Sequence, residues 1–327
     1  MWLLNLKLRM ISRTLLRIKA MHVAFSYHNN PCEDLTFYEN ELQKSLDRYY
    51  DLYIAFFTIL FTIQRHAVDI TEIRRRKFTA TPEERNPNMR FINNRVINDL
   101  MKNKEIESAS RFNPIIWEEY PEIIRKIYNS LVETDVYKDY MENPMDSYSN
   151  DKQIVYYIYE ILLPENIDIF SVLEDKSIFW NDDVEFVLSM NHRTIQRMKE
   201  SKSANNKLMP MYKTHDDEVF VKKLLQKALL QANQYDKLIA GILNNWELER
   251  MAIIDRVILH LAITEFLEFE SIPLPVTMDE YIEIAKYYST EKSPTFINGL
   301  LERIVDQLQR DNKISKLKST KKKIERS

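Results

Sequence analysis

The 327-residue sequence holds only two glycines, Gly241 and Gly299, and one cysteine, Cys32. Phosphate-cradling loops of the Rossmann or P-loop kind need glycines within a few residues of each other, so that backbone N–H groups can approach the phosphate. No such pair occurs here, which argues against both classes of nucleotide enzyme. A lone cysteine rules out an internal disulfide and fits a reducing compartment. Long apolar runs are missing too. The opening stretch MWLLNLKLRMISRTLLRIKAMHVAF is interrupted by Lys7, Arg9, Arg13, Arg17 and Lys19, so it lacks the uncharged apolar core of a signal peptide. Nowhere does an apolar run reach the roughly 18 residues of a membrane span. The expectation is a cytoplasmic chain without a membrane partner, with Met10 as an alternative start to Met1.

Glycine poverty, together with abundant Leu, Ile, Glu and Lys, favours helices throughout and points to an all-α fold. The net charge of −3 conceals a strong asymmetry. Between Asp99 and Met190 there are 20 acidic and 8 basic residues, so the remainder carries about +9. The first 25 residues hold five basic groups and no acidic one, and Arg310–Ser327 holds eight basic and two acidic. Basic ends around an acidic middle suggest an anionic partner at the ends.

Apolar spacing divides the chain. From Ile11 to Tyr27, Leu15, Ile18, Met21 and Phe25 form one stripe, while Arg13 and Arg17 lie one turn apart on a shared face. Asn29-Asn30-Pro31 closes that helix. A second pattern runs from Glu33 to about Lys77, carried by Leu42, Leu46, Tyr49, Tyr53, Leu60 and Ile63. Its span of roughly 65 Å at 1.5 Å per residue predicts that the far end, Arg74-Arg75-Arg76-Lys77, projects or breaks. Prolines 87, 114, 121, 144 and 164 then cut an acidic region into short pieces. One of these, Gln153–Leu163, is tyrosine-rich, and Ser201–Asn206 reads as a flexible joint. His215–Leu243 reads as one helix with Val219, Leu224, Leu225, Ala228, Leu229, Ala232, Tyr235, Leu238 and Ile242 inside. Three more helices follow, separated at Pro273/Pro275 and at Ser293-Pro294, a capping Ser followed by Pro at the first helical position. The expected divisions are 11–82, an inserted region 83–214, 215–310, and a disordered basic tail 311–327.

The block ERMAIIDRVILHLAITEF places Arg250, Asp255, Arg256, Leu259, Ala262 and Glu265 on one helix. The stretch IPLPVTMDEYIEIAKYYSTEKSPTFING adds Pro273, Val276, Glu280, Glu283, Ala285, Lys286, Phe296, Asn298 and Gly299. With the arginine-bearing SRTLLRIKAMHVAFSY and the helix Asp217–Leu243, these motifs resemble the NusB family of bacterial transcription antitermination factors. The resemblance covers residues 11–60 and 216–310. Residues 65–214 have no counterpart in the family's shorter chain. It implies two packed helical subbundles, here with an inserted helical subdomain, and neither catalysis nor a cofactor. It further implies a heterodimer with the small-subunit ribosomal protein also called NusE. The pair would bind single-stranded boxA-like RNA in rRNA transcripts and join RNA polymerase with NusA and NusG.

Carried onto this sequence, the resemblance marks Arg13 and Arg17 as RNA contacts; on physical grounds alone they also suit a solvated helix face. Thr14 and Leu15 replace further arginines of the family, which shifts weight to Lys19 or to Arg74–Lys77. Phe296 suits either base stacking beside a helix N-terminus or a core anchor; Lys292 and Thr295 depart from the family pattern there. Asn298 is a further RNA candidate, and Gly299 is expected to allow close helix packing. Asp255 and Glu265, about 80° apart around their helix, are candidate contacts for the basic ribosomal partner; Asp255 pairing with Arg250 or Arg256 is the alternative. Phe25 either lines that interface or packs inside. His260 is assigned no role. His22, His28 and Cys32 lack the spacing of a metal site. Asp182-Asp183 and Glu118-Glu119 suit a solvated surface better than acid–base chemistry. Two other classes compete. An RNA methyltransferase would need a glycine-rich cofactor domain that the sequence lacks. A helical adaptor would use its acidic insertion to bind another protein or to cover the RNA face.

Overall fold

The computed structural model describes residues 13–30, 34–180, 182–212, 214–243 and 245–315. Cys32, the two candidate start residues and the basic tail beyond Ser315 lie outside them, as does the Trp246 side chain. Every regular element among the described residues is helical. The chain divides into two compact units, one built on Leu46–Met211 and the other on Ile11–Ser45 with Tyr212–Ser327.

Helix α1 spans Arg13–Asn29 and α2 spans Leu35–Arg75, 41 residues without a break. The middle of α2 is the core of the first unit. Leu52, Tyr53, Ile54, Ala55, Phe56, Phe57, Ile59, Leu60 and Ile63 are all buried, so the helix is apolar on every side and must be covered all round. The covering residues reach the second lone pairs of its backbone carbonyls. The Trp117 and Trp180 indole N–H groups donate to Ala55 O (2.7 Å) and Arg48 O (2.6 Å). The Tyr159 hydroxyl donates to Phe56 O (2.8 Å), and the Asn191 amide to Tyr53 O (3.0 Å). A buried indole or phenol needs such a partner, so these bonds fix how the covering pieces sit on α2.

Those pieces are α3 (Pro82–Arg85), α4 (Arg95–Met101), α5 (Lys104–Ser110), α6 (Pro121–Glu133), α7 (Asp135–Glu142), α8 (Tyr148–Tyr157), α9 (Ile167–Lys176) and α10 (Val184–Arg197). Too short to hold themselves, six of them begin at a side-chain cap: Thr81, Asn94, Asn103, Thr134, Ser147 and Asn166 each accept a backbone N–H of the first turn. Each cap stabilises by about 1 kcal/mol. Part of the acidic surplus is neutralised internally. Arg95 bridges Asp151 (2.6 Å), Asp146 (2.8 Å) and Glu200 (2.9 Å). The segment expected to be a flexible joint is instead a 3₁₀ stretch, Glu200–Asn205, pinned by Ser203 Oγ on Asp99 (2.6 Å) and by the Asn103 amide on Asn206 O (2.6 Å). The unit also begins inside α2 at Leu46, well before the expected boundary at residue 83.

In the second unit, the stretch expected as one helix is two, α11 (His215–Leu230) and α12 (Ala232–Ile242), separated at Gln231. Val219 faces out and its neighbours Phe220 and Val221 face in. After α13 (Asn245–Arg250) come α14 (Ile253–Glu268), α15 (Leu274–Tyr288) and α16 (Ser293–Arg310), broken where the prolines stand. Helix α14 is buried on nearly all sides and is the hub; α1, α11, α12, α15 and α16 all pack on it. Amphipathic α16 buries Ile297, Leu300, Leu301, Ile304, Val305 and Leu308 at helical spacing. It ends on Asn312 in the left-handed region (φ 54), with Lys313 N–H donating to Leu308 O (2.9 Å). This closing motif satisfies free carbonyls at the helix end, and Ile314 just beyond it is buried. The first residues expected in a disordered tail are therefore a formed helix stop. Gly299 is also a correction. A Cβ built there meets nothing within 4 Å, so close helix packing does not explain it.

Candidate RNA- and protein-binding surface

Helix α1 lies against α11 and α14. Leu15, Leu16, Ile18, Ala20, Met21, Val23 and Ala24 are all buried, so the intervening Arg17 and Lys19 are carried inside with them. Arg17 is 2% exposed and meets Glu265 of α14, which is 0% exposed. The pairing is bidentate, Nε to Oε2 at 2.8 Å and Nη2 to Oε1 at 2.7 Å. Arg17 Nη1 lies 3.2 Å from Glu280 Oε2. Thr277 Oγ1 (2.7 Å) and the Tyr281 hydroxyl (3.3 Å) also donate to Glu265. Burial works against the Arg17 charge, but the hydrogen bond and the attraction of Glu265 outweigh it and raise the pKa further. Burial, then the Glu265 charge, pushes the Tyr281 phenol well up, keeping it a donor. Two residues expected to touch RNA and a protein partner thus touch each other. Arg17, Glu265 and the buried Lys19 are corrected from surface contacts to interior residues.

Asp255 is a third correction. It sits in the first turn of α14, where a carboxylate favours the helix dipole. It accepts from Ser289 Oγ (2.6 Å) at the end of α15 and from Ser293 Oγ (2.8 Å) at the start of α16. Buried by these hydroxyls, it fastens three helix ends and is not presented to a partner. Ser293 therefore does not cap α16 as expected; its hydroxyl belongs to Asp255, and Lys292 occupies the cap position. Arg256 pairs with Asp236 of α12, which also lies 2.9 Å from His260 Nε2. Burial would raise the Asp236 pKa, yet the hydrogen bonds and charges of His260 and Arg256 hold it well below the usual range. Nothing near the motif signalled this triad, because Asp236 lies on a different helix.

The remaining expected residues are accessible. Arg13 is partly exposed, with Nε 2.9 Å from Asp217 and its guanidinium 5.0 Å from the Phe220 ring centre. Phe25 is 38% exposed near the end of α1, and Phe296 is 41% exposed in the first turn of α16 beside exposed Lys292 and Thr295. Asn298 Nδ2 lies 3.4 Å from Glu302 on the accessible side of α16. The structure thus sorts the expected set into an interior group and an accessible group. His22 packs edge-on against Tyr288 at a ring-centre distance of 5.2 Å, and His28 lies tilted against His260 at 5.3 Å. Burial, then His260 and Arg256, pushes His28 down to about 4. No helix among the described residues is long and apolar enough to cross a membrane.

Comparison with known proteins bears on this surface. Residues 182–306 match the NusB family. The chain is 41% identical over 97 residues to the transcription antitermination protein NusB of Salinibacter ruber, covering 30% of this chain and 61% of that protein. It is 38% identical over 94 residues to NusB of Bacillus pumilus, covering 29% and 72%. It is 49% identical over 72 residues to NusB of Thermotoga maritima, covering 22% and 51%. The match spans 61%, 41% and 43% of the proteins of Salinibacter ruber, Gloeobacter violaceus and Chloroherpeton thalassium. No solved structure matches the chain.

Proposed function

Because the chain belongs to the NusB family, we propose that it is a non-catalytic, RNA-binding transcription antitermination factor of the cytoplasm. The observation that carries the reading is the 38% identity across 72% of the Bacillus pumilus protein, named as a transcription antitermination protein. In finer detail, the protein binds boxA-like single-stranded RNA of rRNA transcripts together with the ribosomal protein NusE. The complex then joins RNA polymerase with NusA and NusG. On this reading the RNA contacts are Phe296, Asn298 and Arg13, and Phe25 faces the protein partner. The accessibility of these four supports the assignment, and a partly exposed Phe296 suits stacking on an unpaired base.

The test is a binding titration of boxA-containing RNA with the full chain, with and without the ribosomal partner. The partner is expected to tighten binding, and Phe296→Ala to weaken it by about 5- to 100-fold, the range for one lost stacking platform. No gain from the partner would overturn the mechanism.

A further inference from the structure

The end of α2 carries a surface that the motifs of the second unit do not account for. Arg74, Arg75, Arg76 and Lys77 follow one another, all exposed, and Phe78 comes next with its side chain 100% exposed. The segment is shaped and held. Arg76 N–H donates to Glu72 O (3.1 Å) and Lys77 N–H to Arg74 O (3.2 Å) as the helix finishes. Ala80 N–H donates to Lys77 O (3.1 Å), closing a turn with Phe78 and Thr79 at its apex. On the far side, Thr81 and Glu84 form a reciprocal capping box that starts α3. The aromatic ring is therefore displayed on a fixed turn between two helices.

The counter-charges are weak. Glu72 lies 3.6 Å from Arg75 and 3.5 Å from Arg76, and Glu84 lies 3.9 Å from Lys77. The cations are exposed and the carboxylates partly exposed, pairs of the kind that contributes little, and Glu84 is already engaged by the cap. Phosphates can replace these carboxylates at small cost. A cluster of cations in an otherwise acidic unit also concentrates the attraction for an anion at one place. The exposed aromatic directly beside these four cations narrows the choice of anion. A duplex hides the faces of its bases, and a membrane surface would call for a broader apolar face than Phe78 and Ile73 provide. An unpaired base offers a flat partner to Phe78, with phosphates on either side for the cations.

We propose that the Arg74–Phe78 turn is a second RNA-binding surface, specific for single strands, in which the four cations neutralise phosphates and Phe78 stacks on a base. It shares with the proposed function only the class of ligand.

The test is fluorescence anisotropy of the full chain with a short unstructured RNA and with an RNA duplex, each across a salt series. Replacing Arg74, Arg75, Arg76 and Lys77 together by Ala is expected to flatten the log affinity–log salt slope by about 2–3, at roughly 0.7 per phosphate on a single strand. Replacing the three arginines by Lys is expected to keep the slope. Phe78→Ala is expected to weaken single-strand binding by about 5- to 100-fold with the slope unchanged. Circular dichroism melting verifies that each variant keeps its fold, which these exposed side chains do not support. Unchanged slope and affinity in the Ala variants would overturn the proposal, as would an equal effect of Phe78→Ala on the duplex. If these variants behave as expected while the ribosomal partner brings no gain with boxA RNA, the proposed function fails alone. If the partner tightens boxA binding and the turn variants change nothing, this inference fails alone.

Discussion

Replacing Arg17 by Met separates a residue that holds the fold from one that holds RNA. The side chain makes two short bonds to Glu265 (2.8 and 2.7 Å) and lies 3.2 Å from Glu280. Removing the guanidinium leaves the Glu265 carboxylate fully buried without its bidentate cationic partner, beside the neutral donors Thr277 and Tyr281. Breaking a buried ion pair from one side costs about 3–5 kcal/mol, because the other charge stays behind without compensation. The partly exposed Glu280 adds at most about 1 kcal/mol. At 2–4 °C per kcal/mol for a unit of roughly 150 residues, the melting point of the second unit should fall by about 10 °C. Calorimetry resolves whether that unit's transition moves while the other stays. Arg17→Met with Glu265→Leu should recover much of the loss, since apolar replacements of both partners are often neutral or better. At a temperature where Arg17→Met is folded, its RNA affinity should match that of the native chain. A variant with unchanged melting and lost RNA binding would refute the buried-pair reading.

Gly299 sits mid-helix in open space with an ordinary backbone conformation, so Gly299→Ala should stabilise by about 1 kcal/mol, read as a raised urea midpoint. The His28 pKa is pushed down to about 4 from 6.5, so between those values the unfolded chain binds the proton and the folded chain does not. Stability should therefore fall as pH drops from about 6.5 to about 4, by about 1–2 kcal/mol for a partly exposed ring. His28→Gln should flatten denaturation midpoints across that window; an unaltered pH profile would show that His28 does not carry the effect.

The helices of the second unit were legible because proline punctuates them and their apolar residues recur at helical spacing. The all-α fold followed from the same signals. The fate of Arg17 and Glu265 was not legible, since the two lie 248 positions apart and local periodicity does not say which helix fills the space beside a charge. Asp255 was similar: its serine partners belong to the ends of two later helices. The break at Gln231 has no glycine or proline to announce it. One further signal stands in the sequence. The run Leu52–Ile63 is apolar on every face, which already says that a second set of elements must wrap it.

The continuity of α2 decides how the protein can be shortened. Excising residues 83–214 at the proline breaks would strip the wrapping from Leu52–Ile63 and leave an all-round apolar helix in water, a sticky rod prone to aggregate. A soluble miniature calls for a cut inside the helix, near Ser45, rejoined near Tyr212. The boundary between the two compact units thus runs through a helix interior, where neither turn nor linker marks it.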